Sequence, residues 1–171
     1  KSERDSVLRS FEPYFRLNTE VITKEVEQLR TNYNSKLRGK VSSAYMQYVE
    51  NSLHELYSNG IISTQDWDRL RKEERQRINI RENTVAQSRY VSDLFTVRTA
   101  YEFIINNCPA SLDRAKLQSC DINDYLIENV TYDADMSEKV KNTLLQSVSI
   151  ASGMVQAGER IVGRGEIIDN H

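Results

Sequence analysis

The sequence predicts an α+β fold: a mostly helical body with a helical hairpin, plus a small β region formed by the middle strands and the Gly-rich C-terminal strands. Three observations predict it. From Val41 to Ser58 apolar residues recur at the helical period, so that Val41, Tyr45, Tyr48, Val49, Ser52, Leu53 and Leu56 share one face. After Arg77 the period drops to two, as Ile78, Ile80 and then Val85 to Val91 alternate in the manner of strands. At the C-terminus, "SGMVQAGERIVGRGEIIDNH" holds four glycines and two Gly-Glu pairs, which lead into the β-branched pairs Ile161-Val162 and Ile167-Ile168.

Taken in order, Ser6 to Phe15 begins as a short amphipathic helix carrying Val7, Leu8 and Phe11. Pro13 forces a break, and Tyr14 to Leu17 alternates as a short strand. Asn18 or Thr19 can cap the next helix, whose stripe is Val21, Ile22, Val26 and Leu29 and which fades in the polar "TNYNSKLRGK" stretch. Asn59-Gly60 ends the Val41–Ser58 helix through a left-handed cap. Ile61-Ile62 then leads into Ser63-Thr64-Gln65-Asp66, close to a capping box, and a helix carrying Trp67 and Leu70. Two strands follow, with a turn near Glu82-Asn83. Thr96 can cap a helix from Val97 to Asn106; Pro109 stops it, and Ser111 can start a short helix toward Leu117. Asp133 begins the last clear helix, with Val140, Leu144 and Leu145 on one face, and the chain turns strand-like from Val148. The reading is a single domain, 1–171, with possible lobes at 1–77 (helical) and 78–171 (mixed).

Composition narrows the function. A hydrophobic content of 39% with 28% charged residues suits a globular domain. A net charge of −2 offers no concentrated basic face for nucleic acid, which is not expected as a partner. The longest charge-free run, Asn142 to Gly158, covers 17 residues but is interrupted by Ser, Gln and Gly, so no stretch is apolar enough to span a bilayer. The chain opens Lys1-Ser2-Glu3-Arg4 without Met or an apolar leader and reads as an excised or processed piece. Cys108 and Cys120 lie twelve residues apart; they can form one disulfide in an oxidising compartment or stand as two unpaired buried thiols.

The motifs do not assemble a catalyst. Gly158 and Gly163 have the spacing of a phosphate-binding loop, but Arg164 and Gly165 stand where Lys and Ser or Thr are needed, so the glycines are read as turns. His54-Glu55 begins like a zinc-protease helix, yet the residue four positions on is Ser58, and the other histidine is the terminal His171. No His-Asp pair and no Gly-x-Ser-x-Gly elbow occurs. Catalytic residues, metal ligands and cofactors are therefore not expected in this chain. Carboxylates are plentiful, but the sequence does not place two of them together for acid–base work. The run "RLRKEERQR", Arg69 to Arg77, has five basic and two acidic residues and reads as a solvated helix face, with anionic lipid head groups as the sharper alternative. Asn129-Val130-Thr131 matches a glycosylation sequon. Tyr45, Tyr48, Trp67, Tyr90 and Tyr101 are candidates for a binding surface, although aromatic stripes on helices usually bury.

The stretches "SERDSVLRSFEPYFRLNTEVI", "ELYSNGIIS", "NTVAQSRYVSDLFTVRTAYEFI", "LQSCDINDYLIENVTYD" and "LLQSVSIASGMVQAGERIVGRGEIID", in that order, resemble the extracytoplasmic domain of bacterial seven-transmembrane HD-domain proteins. The resemblance implies a membrane anchor before Lys1, seven membrane helices after His171, and a cytoplasmic HD phosphohydrolase of the type that degrades cyclic di-AMP. It implies that this chain is a non-catalytic sensor on the outer side of the cytoplasmic membrane, covalently joined to membrane helices and biased by an extracytoplasmic ligand or protein. Gly153, Gly158, Gly163 and Gly165 would then form the membrane-proximal linker. The alternatives are an envelope scaffold that binds protein or polymer without signalling, and a carboxylate hydrolase.

Overall fold

The computed structural model describes the chain from Ser2 to Gly158, with side chains from Glu3 to Ile150. The chain forms two compact units: the segment through Tyr14 together with the segment from Asp133, and the stretch Phe15–Tyr132. The expected lobe boundary at Arg77–Ile78 falls inside the second unit. The change of period there marks the start of a strand, and that strand belongs to a sheet shared with residues from both ends of the stretch.

In the first unit, helix α1 (Ser2–Ser10) packs on the 25-residue helix α7 (Ala134–Gly158). They run antiparallel: Arg4 Nη1 donates to Ser149 Oγ at 3.3 Å, and beyond the C-terminal end of α1 the Tyr14 N–H donates to Ser137 Oγ at 2.8 Å. Ser137 is 1% exposed, and its hydroxyl donates to the Tyr14 carbonyl at 3.2 Å, so one buried side chain satisfies both backbone groups. The Asp133 N–H reaches the same carbonyl at 2.8 Å, and its Oδ1 caps α7 by accepting the Met136 N–H at 3.1 Å. The strand expected from Val148 is instead a continuation of α7 as far as Gly158. Val148 and Ile150 each lower helix propensity by only a few tenths of a kcal/mol, which a helix already capped and running from Ala134 absorbs. Gly153 and Gly158 are thus helical; Gly163, Gly165 and the expected strands around them lie outside the described residues.

The second unit carries a four-stranded sheet in the order β3-β2-β1-β4, from β1 (Tyr14–Leu17), β2 (Arg77–Glu82), β3 (Val85–Tyr90) and β4 (Val130–Tyr132). The α+β class holds, but the middle hairpin is extended by β1, which lies beside β2, and then by β4, which pairs with β1. Phe15 pairs with Tyr132 and Leu17 with Val130, antiparallel; Ile78 pairs with Arg89 and Ile80 with Gln87.

Around the sheet lie α2 (Glu20–Asn32), α3 (Ser43–Asn59), α4 (Thr64–Lys72), α5 (Val97–Asn106) and α6 (Arg114–Gln118). Helix α2 is capped by Asn18, whose Oδ1 accepts the Glu20 N–H at 2.9 Å. It does not fade at Thr31; it widens into a π-turn, Tyr33–Leu37, that buries Tyr33, whose hydroxyl donates to the Val41 carbonyl at 3.1 Å. Ser63 caps α4, and Thr96 with Thr99 forms a reciprocal box at α5. Helix α6 starts later than expected, because Asp113 rather than Ser111 supplies the cap.

Two apolar clusters hold this unit. One joins α2, α3 and α5 through residues such as Leu29, Val49, Leu53 and Ile104; the other joins the sheet to α4 through Phe15, Ile78, Ile80 and Leu70. Ile61 and Ile62, both fully buried, sit one in each cluster. Complete burial of side chains of this size is worth about 1.5–3 kcal/mol each. Gly60 makes the connector possible. Its φ of 112° and ψ of 130° are not the expected left-handed cap, since ψ is extended, and a Cβ there would lie 2.9 Å from Val130 Cγ2 and 3.1 Å from Leu94 Cδ2.

Candidate functional site

On the core face of the hairpin, Ile78, Ile80 and Glu82 alternate along β2, and Arg89, Gln87 and Val85 face the same way from β3. Ile78 and Ile80 are buried; beyond them the face turns polar and opens into a cavity of about 390 Å³. Leu17, Ile80 and Val85 form its apolar wall; Glu82, Asn83, Thr84, Gln87 and Arg89 supply the polar groups. Asn83 takes φ 57° in the turn, a left-handed value that Asn tolerates better than most residues. Arg89 anchors the wall: its Nη1 donates to the Ser58 carbonyl at 2.6 Å and the Asn59 carbonyl at 2.8 Å, satisfying the exposed end of α3. One carboxylate, one guanidinium already engaged with carbonyls, two amides and a hydroxyl can orient a small amphipathic molecule. The lining includes no His, Cys or second carboxylate to supply a nucleophile or an acid–base pair.

The sequence-derived candidates do not meet in one place. Tyr45 is buried and accepts the Asp113 N–H on its hydroxyl at 2.8 Å; Tyr48 is half-buried and donates to the Ile104 carbonyl at 2.7 Å. Burial pushes the Tyr48 phenol above its ordinary range. Tyr101 packs on the cluster of α2, α3 and α5, and Trp67 on the other. Tyr90 is half exposed, at 51%, beneath the Arg77 guanidinium 4.5 Å from its ring centre. Four of the five serve packing, and none lines the cavity.

Cys108 and Cys120 are free thiols. The Cys120 Sγ points to the Lys116 carbonyl at 3.4 Å, and burial raises its pKa, with Asp121 adding to the effect. His54 is exposed on α3, with Ser58 one turn further on. The charge run is not one helix face: α4 ends at Lys72, Glu74 turns the chain at φ 54°, and Arg77 already belongs to β2. Arg69 pairs with Asp66 at 2.6 Å and lies 4.6 Å from the Tyr132 ring centre, and Arg75 pairs with Glu73 at 3.1 Å. Asn129, the sequon residue, is 3% exposed and wholly engaged with backbone, so it serves folding.

Sequence reasoning missed the cavity residues and two buried polar centres. Glu50 on α3 holds Arg30 of α2 through paired contacts at 3.0 and 2.8 Å, which raise the pKa of the guanidinium. The Tyr57 hydroxyl donates to the Tyr125 carbonyl and accepts the Ile127 N–H at 3.1 Å. The alternation of β2 with β3 was the available signal for the cavity: once the hairpin register is fixed, Glu82, Gln87 and Arg89 fall on the face that holds Ile80.

Among the described residues, no group of three or more His, Cys, Asp or Glu side chains is arranged to hold a metal ion, and no helix is long and apolar enough to cross a membrane. A family model described as 7TM-HD extracellular matches residues 1–171. No curated protein and no solved structure matches the chain.

Proposed function

This chain belongs to the 7TM-HD extracellular family, and we propose from that membership that it is a non-catalytic sensor acting on a cytoplasmic HD phosphohydrolase through the membrane helices that flank it. The reading places it on the outer side of the cytoplasmic membrane. A ligand or partner that favours one conformation of the domain biases the membrane region by the difference in its affinity for the two states, and by no more than that difference. Cyclic di-AMP is the substrate proposed for the hydrolase, in keeping with the resemblance read from the sequence.

One observation supports this reading above the others. The Asp133 N–H bonds the Tyr14 carbonyl at 2.8 Å within the first unit, and Phe15 pairs with Tyr132 within the second. Each unit therefore has adjacent cut ends, and residues 15–132 have the form of an insertion in a two-helix stem. The stem contains both segments that lead to the proposed membrane helices. Ligand capture in the insertion and output through the stem are separable tasks in such an arrangement. The cavity at the hairpin is the proposed place of capture.

The test is a thermal-shift screen of the isolated domain against nucleotides, envelope sugars and short peptides. A ligand well above its dissociation constant should raise the melting temperature, and Gln87→Ala should weaken that shift. The same ligand added outside vesicles that contain the full-length parent should change hydrolysis inside. A ligand that shifts the melting temperature but leaves hydrolysis untouched would favour the scaffold reading.

A further inference from the structure

The register of the hairpin decides which main-chain groups of β3 turn outward. The Val91 N–H bonds the Gln76 carbonyl at 2.9 Å, just beyond the last ladder pair, Arg77 with Tyr90. In an antiparallel ladder the hydrogen-bonded pairs recur at every second residue. Ile78–Arg89, Ile80–Gln87 and Glu82–Val85 are therefore the bonded pairs, and Asn83-Thr84 is the two-residue turn that closes the last of them. Ala86 and Tyr90 fall between those pairs, so their N–H and C=O groups turn away from β2. They turn toward the edge of the sheet, because β3 is its outermost strand among the described residues. This edge is undefended. It runs for six residues in unbroken register, with no Pro, no Lys and no bulge to turn another strand away. Its one charged side chain, Arg89, is drawn off to the Ser58 and Asn59 carbonyls.

We propose that the ligand captured at the cavity is an extended polypeptide segment with a basic side chain, which adds to β3 as a further strand; the proposal deepens the capture reading above and rests on it for the place of binding. An added strand would meet the outward groups of Ala86 and Tyr90, and its alternate side chains would fall on the cavity face beside Val85, Gln87 and Arg89. Charge selects the basic side chain. With Arg89 engaged by the carbonyls at the end of α3, the Glu82 carboxylate is left as the unneutralised charge of the lining, and it has no ion pair among the described residues. Strands lie roughly 4.8 Å apart, so a residue opposite Val85 stands roughly 10 Å from Glu82, across two strand spacings. A Lys or Arg side chain closes that distance with its stem on Val85, which is 60% exposed, and its head at Glu82. The β3 of a second copy offers no such group, since its own Arg89 is held by carbonyls.

The experiment pans a bead-bound library of randomised octapeptides, acetylated and amidated so that no terminal charge contributes, with the chain 1–171. Bound peptides should share Lys or Arg at one position, and Glu82→Lys should reverse that choice to Asp or Glu. Ala86→Pro should weaken the best peptide about tenfold or more, because it removes an outward N–H and sets a ring in the path of the added strand. The Ala86 N–H takes no part in pairing with β2, so circular dichroism should be that of wild type; if it is not, the peptide is N-methylated instead. Methylating one set of its alternate amides should then abolish binding, and methylating the other set should leave it. No shared basic position, an unreversed choice by Glu82→Lys, or undiminished binding to folded Ala86→Pro would overturn the proposal. So would a wild-type dimer in sedimentation that Ala86→Pro dissolves, since the edge would then belong to a second copy. A small molecule that raises the melting temperature through Gln87 in a chain that binds no peptide would sink the peptide and leave the capture reading standing. Peptide binding without any effect on hydrolysis would sink the sensor reading and leave the peptide site in place.

Discussion

The buried side-chain amide of Asn129 donates to the Tyr57 carbonyl at 3.0 Å. The same amide accepts the Ile61 N–H on its Oδ1 at 2.8 Å, and the Asn129 N–H returns to the Ile61 carbonyl at 3.0 Å. A single residue thus closes the backbone of the turn that leaves α3. Asn129→Ala would strand a buried donor and a buried acceptor and should cost about 2–4 kcal/mol. Urea unfolding checks this; a loss below about 0.5 kcal/mol would mean that water replaces the amide.

Gly60 meets two obstacles to substitution, its φ of 112° and the approach of Val130 Cγ2 to 2.9 Å from any added Cβ. Gly60→Ala should therefore destabilise by about 2–4 kcal/mol, more than the ordinary cost of straining one backbone position. Gly39 has nothing within 4 Å of an added Cβ, so Gly39→Ala should stay within about 0.5 kcal/mol of wild type. Paired denaturation curves test the contrast.

Burial pushes the Tyr57 phenol up to about 12, against an ordinary value of 10.0; Glu25 adds to the rise, and the Ile127 N–H opposes it. The folded state therefore holds the proton more tightly than the unfolded state. Its stabilising effect is complete below pH about 10 and is lost as pH rises toward about 12, at up to about 1.4 kcal/mol per pH unit. Tyr57→Phe should lower stability at neutral pH by about 1–3 kcal/mol, since the Ile127 N–H loses its acceptor, and should flatten the alkaline fall. An unchanged alkaline slope in the variant would assign the fall to other tyrosines, such as Tyr125, which burial also raises.

The two thiols differ in access. Cys108 is half-buried, whereas Cys120 is buried with its pKa raised. Iodoacetamide at pH about 8 should label Cys108 at least tenfold faster in the native protein, because the exposed thiolate is the reactive form. Unfolding without reductant should then allow a second label. Failure to take up any label before reduction would show that the pair is bridged.

Much of the fold was legible because local chemistry and packing agree. Thr96 caps α5 where the capping residue and the apolar run coincide, and Pro13 separates α1 from β1 as its missing N–H requires. The tail from Val148 was misread because β-branched residues and glycines carry a strand signal that a long, capped helix overrides. The sheet partners were not legible: β1 and β4 are more than a hundred residues apart, and nothing local in Phe15 or Tyr132 announces the pairing. The cavity was hidden for a similar reason, since Leu17 reaches it only because β1, sixty residues earlier in the chain, lies beside β2 in the sheet. The aromatic candidates failed because a helical aromatic stripe marks a buried face, as Tyr45 demonstrates.

The adjacency of Tyr14 to Asp133 makes the decisive deletion simple to build. Residues 15–132 are excised from the full-length parent, a short Gly-Ser linker joins Tyr14 to Asp133, and cyclic di-AMP hydrolysis is measured in membranes at matched protein level. If the inserted unit governs the enzyme across the bilayer, the hydrolysis rate should change at least fivefold and cease to respond to any external ligand. A rate equal to wild type, with the ligand response intact, would contradict the account.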